Sequence, residues 1–385
     1  MGFCAPLVSS RRIVDVLLKK LGLVVVVSIA TLLVCELGFR IAGFQPLYSV
    51  YSKPEIFWRH DPLLGWSLEP NSEGTYVGPR PFPILFRSSI RTNSLGLRGP
   101  EVADVPEGGI RVLVLGDSMT AGFEVEESAT YSAHAEERLR TLADVPVQVV
   151  NGGVRGYGTD QVYLLFRDRL RELDPDIVVY HTTANDPDDV VTLHRARRPF
   201  GKAAFALRDD GALDTVGHPI PRYDLCSSVR LDKSYSVTRV DTFKSRALCN
   251  LQTRLADHSA LFSFISTRLA QNPGALQRIY RLGGDAPPAE MPAHARRLTR
   301  ALIRHLQADA ERGGARFVLL AQQVDLDAIE LTDIGPDGTI VYLDAALGAR
   351  PGDEVRFPVD GHYNEEGHRL VGELLARELA QAIDR

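Results

Sequence analysis

Cysteine is scarce in this chain, and none of its four cysteines forms a Cys-x-x-Cys pair. There is no His-Glu-x-x-His segment either, so no metal site is indicated. An excess of positive charge is also missing. Lys and Arg number 44 against 49 Asp and Glu, for a net charge of −5 and a pI near 6.1, so nothing electrostatic favours nucleic acid. No repeat of fixed period and no low-complexity tract interrupts the sequence. What remains is 44% apolar, 24% charged and 8% aromatic, the make-up of an ordinary globular protein. At 385 residues it is long enough for one large α/β domain with an accessory lobe.

One long hydrophobic run is present. Residues 21–39, "LGLVVVVSIATLLVCELGF", carry Glu36 as their only charge. As a helix they span about 28 Å, close to the roughly 30 Å hydrocarbon core of a bilayer. The strictly uncharged part, 21–35, also fits a long signal-peptide core. No small-x-small cleavage site follows it, and Val34 spoils a lipoprotein box before Cys35. Arg11, Arg12, Lys19 and Lys20 precede the span, and only Arg40 follows closely. The expected layout is therefore a cytoplasmic tail (1–20), a transmembrane anchor (21–39) and an extracytoplasmic remainder. Export bears on the cysteines. Cys4 and Cys35 fall in the tail and the span, which leaves Cys226 and Cys249 outside. These two could pair in an oxidising compartment, with a contribution of about 3 kcal/mol in the chain-entropy view. The alternative is two separate buried thiols.

Residues 45–109 are rich in Pro, Gly, Ser and aromatics, with short alternating runs that suggest turns and strands of a small N-terminal lobe or wrap. From Ile110 the pattern becomes strand–helix alternation. "IRVLVLG", "VQVVNGG", "DIVVYHT" and "ARFVLLAQ" read as strands. "TYSAHAEERLRTL", "TDQVYLLFRDRLREL", "PAHARRLTRALIRHLQADAERG" and about 365–382 read as helices. The strands are continuous apolar runs, as strands buried on both faces are. A parallel sheet between two helical layers, α/β/α, is the natural architecture. Residues 187–290 interrupt the alternation with a hairpin-like "AFALRDDGALDTVG", the two exported cysteines and an amphipathic stretch near "SALFSFISTRLA". They are expected to form an insertion on the carboxyl-end face of the sheet, as a lid or substrate platform.

Chemistry-bearing residues stand where strands end. Gly116-Asp117-Ser118 follows the first strand, and the glycine-rich "NGGVRGYG" follows the second. "TANDPDD", with Asn185 and Asp186, follows the third. "VDGHYNEEGH", with Asp360 and His362, precedes the last helix. Turn chemistry alone accounts for Gly-Asp-Ser. Four such groups converging on one sheet edge ask for more. Serine becomes a nucleophile when a base removes its proton, and histidine can do so near neutral pH. Histidine in turn needs a carboxylate to fix its tautomer, and Asp360 lies two residues away. A tetrahedral oxyanion needs preorganised donors, which Ser118 N–H, Gly153 N–H and the Asn185 amide could supply.

In these four segments the chain resembles the SGNH family of GDSL-type esterases and acyl-transfer enzymes. "GDSMTAG" is similar to the family's first block, "NGGVRGYGTDQ" to the second, "TAND" to the third and "DGHYNEEGH" to the last. The resemblance covers about 110–186 and 315–385. It implies a flavodoxin-like fold over 110–385, Ser118 as nucleophile, and Gly153 and Asn185 in the oxyanion hole. It implies His362 as base with Asp360 beside it, and no cofactor. Many members carry the acid three residues before the histidine, where this chain has Val359. A looser resemblance links the overall layout to membrane-anchored bacterial members associated with extracellular polysaccharides.

The expectation is a membrane-anchored, extracytoplasmic serine esterase that works through an acyl-enzyme on O-acyl, chiefly O-acetyl, groups of a surface or secreted glycan. Two alternatives stay open. One is an O-acyltransferase using the same residues on a polysaccharide acceptor. The other is an inactive scaffold or binding module in polysaccharide assembly. Asp117 is expected to be structural, and Asp186, Asp188 and Asp189 to be capping and solvated carboxylates. His181 is expected as a satisfied buried histidine and His368 as a helix-surface or packing one. Sequence says nothing of the oligomeric state.

Overall fold

A computed structural model describes residues 10–46, 58–194, 200–270, 290–335, 338–348 and 350–383. Parts of the expected tail (1–9), N-terminal lobe (47–57) and insertion (195–199 and 271–289) lie outside the described residues. The central sheet has five strands: β1 (Ile110–Gly116), β2 (Val147–Gly153), β3 (Ile177–His181), β4 (Arg316–Ala321) and β5 (Thr339–Tyr342). All pairings are parallel, in the order β5–β4–β3–β1–β2.

The apolar runs are continuous because successive side chains enter two different cores. Val112 and Val114 face one core, with Tyr131, Leu139 and Leu375 from the helices Tyr131–Leu142 and Glu365–Ile383. Leu113 and Leu115 face the other, with Val162, Leu165, Leu302 and Leu306 from the helices Thr159–Asp168 and Met291–Arg312. The fold is therefore the expected α/β/α sandwich. β5 escaped the sequence reading because it is a four-residue edge strand with one buried residue, Val341. The helix expected over "TDQVYLLFRDRLREL" breaks at Arg169 and continues as a short 3₁₀ turn, Leu170–Leu173.

From β1 the chain crosses to β2 on one side and later returns to β3 on the other. The carboxyl ends of β1 and β3 thus flank the topological switch point, where open α/β sheets leave a crevice. The described part of 45–109 has no core of its own. Its hairpins Arg59–Asp61/Gly65–Ser67 and Glu73–Gly78/Phe86–Arg91 send Trp66, Tyr76, Phe86 and Ile90 into the same core as Leu113. It is a wrap.

The insertion folds as a three-stranded antiparallel sheet, a hairpin and two helices, Phe243–His258 and Ala260–Ala270. The hairpin pairs Ala204–Leu207 with Leu213–Val216, inside the expected segment. It lies along the outer helical layer, with His305 Nε2 2.9 Å from the Gly211 carbonyl and Phe205 5.7 Å from Tyr163. At the N-terminus the helix Ser10–Ile41 contains a 28-residue apolar stretch, Val14–Ile41, of mean hydropathy 2.4 and with none of its hydropathy window buried. It begins earlier than the expected span because helix propensity, unlike hydropathy, carries through Lys19 and Lys20.

Candidate active site

β1 ends at Gly116, and Asp117 caps a single helical turn, Ser118–Ala121. The Asp117 carboxylate accepts from Met119 N–H at 2.8 Å and from the Thr183 hydroxyl at 3.1 Å. It is buried, and burial pushes its carboxyl above the usual range. Its place is structural, under the nucleophile's helix. Ser118 Oγ donates to His362 Nε2 at 2.8 Å. On the other side of the ring, His362 Nδ1 lies 2.5 Å from Asp360 Oδ1. Burial alone would raise the Asp360 carboxyl, but the hydrogen bond and charge of His362, with Arg155 nearby, hold it below the usual value. Serine, histidine and aspartate thus form one connected chain across the crevice.

The loop that carries this pair is tightly tied. Phe357 N–H donates to the His362 carbonyl at 2.8 Å, and Arg356 Nη1 donates to the Gly361 carbonyl at 2.8 Å. The Arg356 guanidinium also lies 4.6 Å from the centre of the Tyr363 ring. Val359, immediately before Asp360, has φ of 73°. A β-branched residue in the left-handed region is strained. Val359 itself is 44% exposed, so the acid comes from the next position.

The oxyanion donors need one correction. Gly153 N–H donates to the Asn151 side-chain oxygen at 3.0 Å, while Asn151 Nδ2 donates to the Thr120 carbonyl at 3.0 Å. Gly153 is needed for close approach, since a Cβ there would fall 2.4 Å from Ala121 N. Its N–H serves the scaffold. Three residues on, Gly156 has φ of 76° and lines a small crevice with Asp189. Asp189 Oδ2 accepts from Asn185 Nδ2 at 2.7 Å, and Asn185 Oδ1 lies 3.0 Å from Thr183 Oγ1, whose single hydroxyl hydrogen it shares with Asp117. Asn185 is exposed and held on both sides, with its second amide hydrogen left over.

One other sequence reading changes, while His181 and His368 are buried and packed, within what was expected of them. Asp186 and Asp189 are buried rather than solvated, and only Asp188 is exposed. Asp186 accepts from Tyr180, Thr182 and the Thr183 N–H, and burial together with Asp117 lifts its carboxyl to about 7. His368 is not on the helix surface. It is buried, accepts from Tyr131 N–H at 3.1 Å through Nδ1, and is lowered to about 3 by burial. His181 is likewise buried and lowered to about 3, stacked on Tyr363 at 6.3 Å. Neither faces the serine as a base.

Two residues were missed. Glu124 is buried, forms an ion pair with Arg155, and places Oε1 3.5 Å from His362 Nδ1, so a second carboxylate stands beside Asp360. Arg98, in the wrap, is buried and donates to the carbonyls of Ala121, Gly122 and Val125, securing the end of the Ser118 helix. Neither has a local sequence signature. Glu124, Asp360 and His362 also sit close enough to share a cation. The ion pair to Arg155 and the His362–Asp360 bond engage one oxygen of each carboxylate, and Glu124 Oε2 is buried without a hydrogen-bond partner among the described residues. A cavity of about 850 Å³ beside the helix Tyr131–Leu142 includes none of the serine–histidine–aspartate chain.

The profile of the GDSL-like lipase/acylhydrolase family matches residues 114–370. The chain belongs to this family. It is an SGNH-type ester hydrolase. Solved structures with related folds include a lipase/acylhydrolase from Enterococcus faecalis, at 15% identity and a TM-score of 0.35, covering 71% of this chain and 96% of that one. Another is a family 3 carbohydrate esterase from Clostridium thermocellum, at 12% identity and 0.35, covering 71% and 98%. A third is a psychrotrophic esterase from a Pseudoalteromonas species, at 8% identity and 0.37, covering 71% and 99%. Comparison with curated proteins finds no match. Within this GDSL-family chain, the four strand-end segments and the catalytic loop all fall inside the matched span.

Proposed function

We propose that this hydrolase is a membrane-anchored, extracytoplasmic serine esterase that removes small O-acyl groups, chiefly O-acetyl, from a surface or secreted glycan. The observation that carries it is the unbroken Ser118–His362–Asp360 chain at the carboxyl edge of the sheet. Asp360 accepts the Nδ1 proton and so leaves Nε2 free to act as base. His362 takes the Ser118 proton as Oγ bonds to the ester carbonyl carbon. The oxygen that becomes negative is met by Ser118 N–H, Gly156 N–H and the spare Asn185 amide hydrogen. Collapse breaks the carbon–oxygen bond to the alcohol, which leaves with the proton from His362. Water then attacks the acyl-enzyme by the same route.

Export is supported by the cysteines and the charges. Cys226 and Cys249 are joined by a disulfide, with Cα atoms 5.7 Å apart, and such bonds persist in oxidising compartments. Four basic residues precede the apolar run 21–39, within the same helix, which favours a cytoplasmic N-terminus. A small acyl group on a bulky carrier suits the partly exposed serine and histidine, which lie among short strand-end loops.

The test is labelling with a fluorophosphonate. The wild type should label and Ser118→Ala should not, and incubation with an acetylated glycan should release free acetate. Absence of labelling would mean the site is dead and the chain a scaffold. Transfer of acetyl to a glycan hydroxyl without acetate release would make it an acyltransferase.

A further inference from the structure

The apolar N-terminal helix does not leave the rest of the molecule untouched. Glu36, near its far end, reaches the turn between the helices Phe243–His258 and Ala260–Ala270. Glu36 accepts from Ser259 Oγ at 2.8 Å, from Ala260 N–H at 3.0 Å and from Leu261 N–H at 3.0 Å. It supplies the N-terminal cap of the helix Ala260–Ala270, satisfying donors that a helix start leaves open. Arg40 pairs with Glu36 at 2.7 Å and donates to the His258 carbonyl at 2.7 Å. Phe39 and Phe44 pack on Phe264 at 5.0 and 5.1 Å, and Phe264 packs on Phe82 of the wrap at 5.8 Å. The end of the apolar helix is thereby fixed to the catalytic body.

That junction sits at a defined depth. From Lys20 to Glu36 the helix rises about 24 Å, so the turn at 258–261 comes within about 6 Å of the outer boundary of a hydrocarbon core of roughly 30 Å. The helix Phe243–His258 leaves this turn with an uncovered apolar stripe. Phe243 is 82% exposed, Leu251 56%, Leu248 44% and Leu255 41%. Phe243, Leu251 and Leu255 follow a four-residue spacing with Ala247 between, so they share one face. The exposed charged or titratable side chains among them are Lys244, Arg254 and His258. Ile265 and Leu269 on the partner helix are 47% and 45% exposed. The Cys226–Cys249 disulfide ties the helix Phe243–His258 to the body from its other side. An apolar face interleaved with long-stemmed cations that can snorkel to headgroups, close to the level where a spanning helix emerges, suits a helix lying in a membrane interface.

We propose that the helix pair 243–270 docks on the surface of the bilayer that holds the anchor, with Phe243, Leu248, Leu251 and Leu255 inserted among acyl chains and Lys244 and Arg254 on anionic headgroups. This rests on the anchored reading above. The docked pair holds the active site at one orientation to the membrane, which a single spanning helix on a loose tether does not do.

The experiment uses the full chain in vesicles of phosphatidylcholine with phosphatidylglycerol, in which brominated acyl chains quench tryptophan. The two native tryptophans, Trp58 and Trp66, are buried and give a constant background. Three variants each add one reporter: Leu33→Trp inside the anchor, Leu251→Trp on the stripe and Leu142→Trp on a distant helix end. Retained hydrolysis of an aryl acetate certifies each fold. Brominated lipid should blue-shift and quench Leu33→Trp and Leu251→Trp and leave Leu142→Trp unchanged. Quenching of Leu33→Trp without Leu251→Trp overturns the docking and leaves the anchor standing. An unquenched Leu33→Trp removes the anchor, and the docking with it. A Leu251→Trp shift that depends on protein concentration but not on bromine assigns the face to a second copy and overturns the proposal. Adding Lys244→Glu and Arg254→Glu should weaken Leu251→Trp quenching in the anionic vesicles only. Equal quenching there removes the headgroup contact.

Discussion

His362 has two carboxylates within reach of one ring nitrogen, and they are unequal. Asp360 is at 2.5 Å and Glu124 at 3.5 Å. Where a triad carboxylate stands alone, its conversion to amide costs up to about 10⁴ in turnover. Here Asp360→Asn should cost less, because Glu124 can hold the Nδ1 proton after a small ring movement. Glu124→Gln alone should cost little, and the two together should fall to the level of His362→Ala. Turnover on an aryl acetate across the four proteins measures this. A double variant no worse than Asp360→Asn would confine Glu124 to its pair with Arg155. Asn185→Ala should lower turnover by about 10²–10³, as expected for one oxyanion donor, while fluorophosphonate labelling slows without vanishing. Ser118, Asp360 and His362, which the fold joins by hydrogen bonds, were legible as a candidate set because each lies in a segment with a local residue order. Glu124 and Arg98 were not, since only folding brings them to His362 and to the Ser118 helix. Gly153 misled because the competing acceptor, Asn151, is a side chain whose direction a sequence does not show.

Among the elements, the four-residue helix Ser118–Ala121 is too short to hold itself. Asp117 secures its start and Arg98 its end. Arg98→Met should leave the Ala121, Gly122 and Val125 carbonyls without their buried donor. The expected outcome is a lower melting temperature and a larger fall in kcat than in KM, because Ser118 Oγ loses its fixed distance to His362. Arg98→Lys, which cannot fork across three carbonyls, should recover only part of both. If Arg98→Met lowers stability but leaves kcat intact, the wrap supports the core and not the nucleophile. The legible elements were those with one strong period. The four buried strands are uninterrupted and the helices amphipathic, whereas β5 is short and half solvated. The insertion's small sheet is built from three-residue strands that no periodicity resolves.

At the scale of the whole molecule, buried titratable groups pull stability in opposite directions with pH. His181 and His368 are lowered to about 3 from an ordinary 6.5. Between those values the unfolded chain binds protons that the folded one refuses, so they remove stability as pH falls. Asp186 is raised to about 7 from 3.8, and over that window the folded chain holds a proton that the unfolded one releases. It therefore adds stability as pH falls. From pH 6.5 to about 4 the one aspartate offsets only one of the two histidines, so the melting temperature of the wild type should fall with the slope of a single net proton. Below about 4 the aspartate is protonated in both states and its contribution is constant. The histidines then act unopposed, joined by Asp61 and Asp360, whose carboxyls are held below the usual value. Stability should fall steeply there. Asp186→Asn keeps the shape but removes the counterweight, so its melting temperature should fall about twice as steeply with pH over that window. Calorimetry of both proteins from pH 7.5 to 3.5 makes the comparison. Parallel profiles down to pH 4 would mean that Asp186 does not hold its proton in the fold, and the balance would have to be assigned to Asp117, Asp160 and Asp325, other buried carboxyls raised by burial.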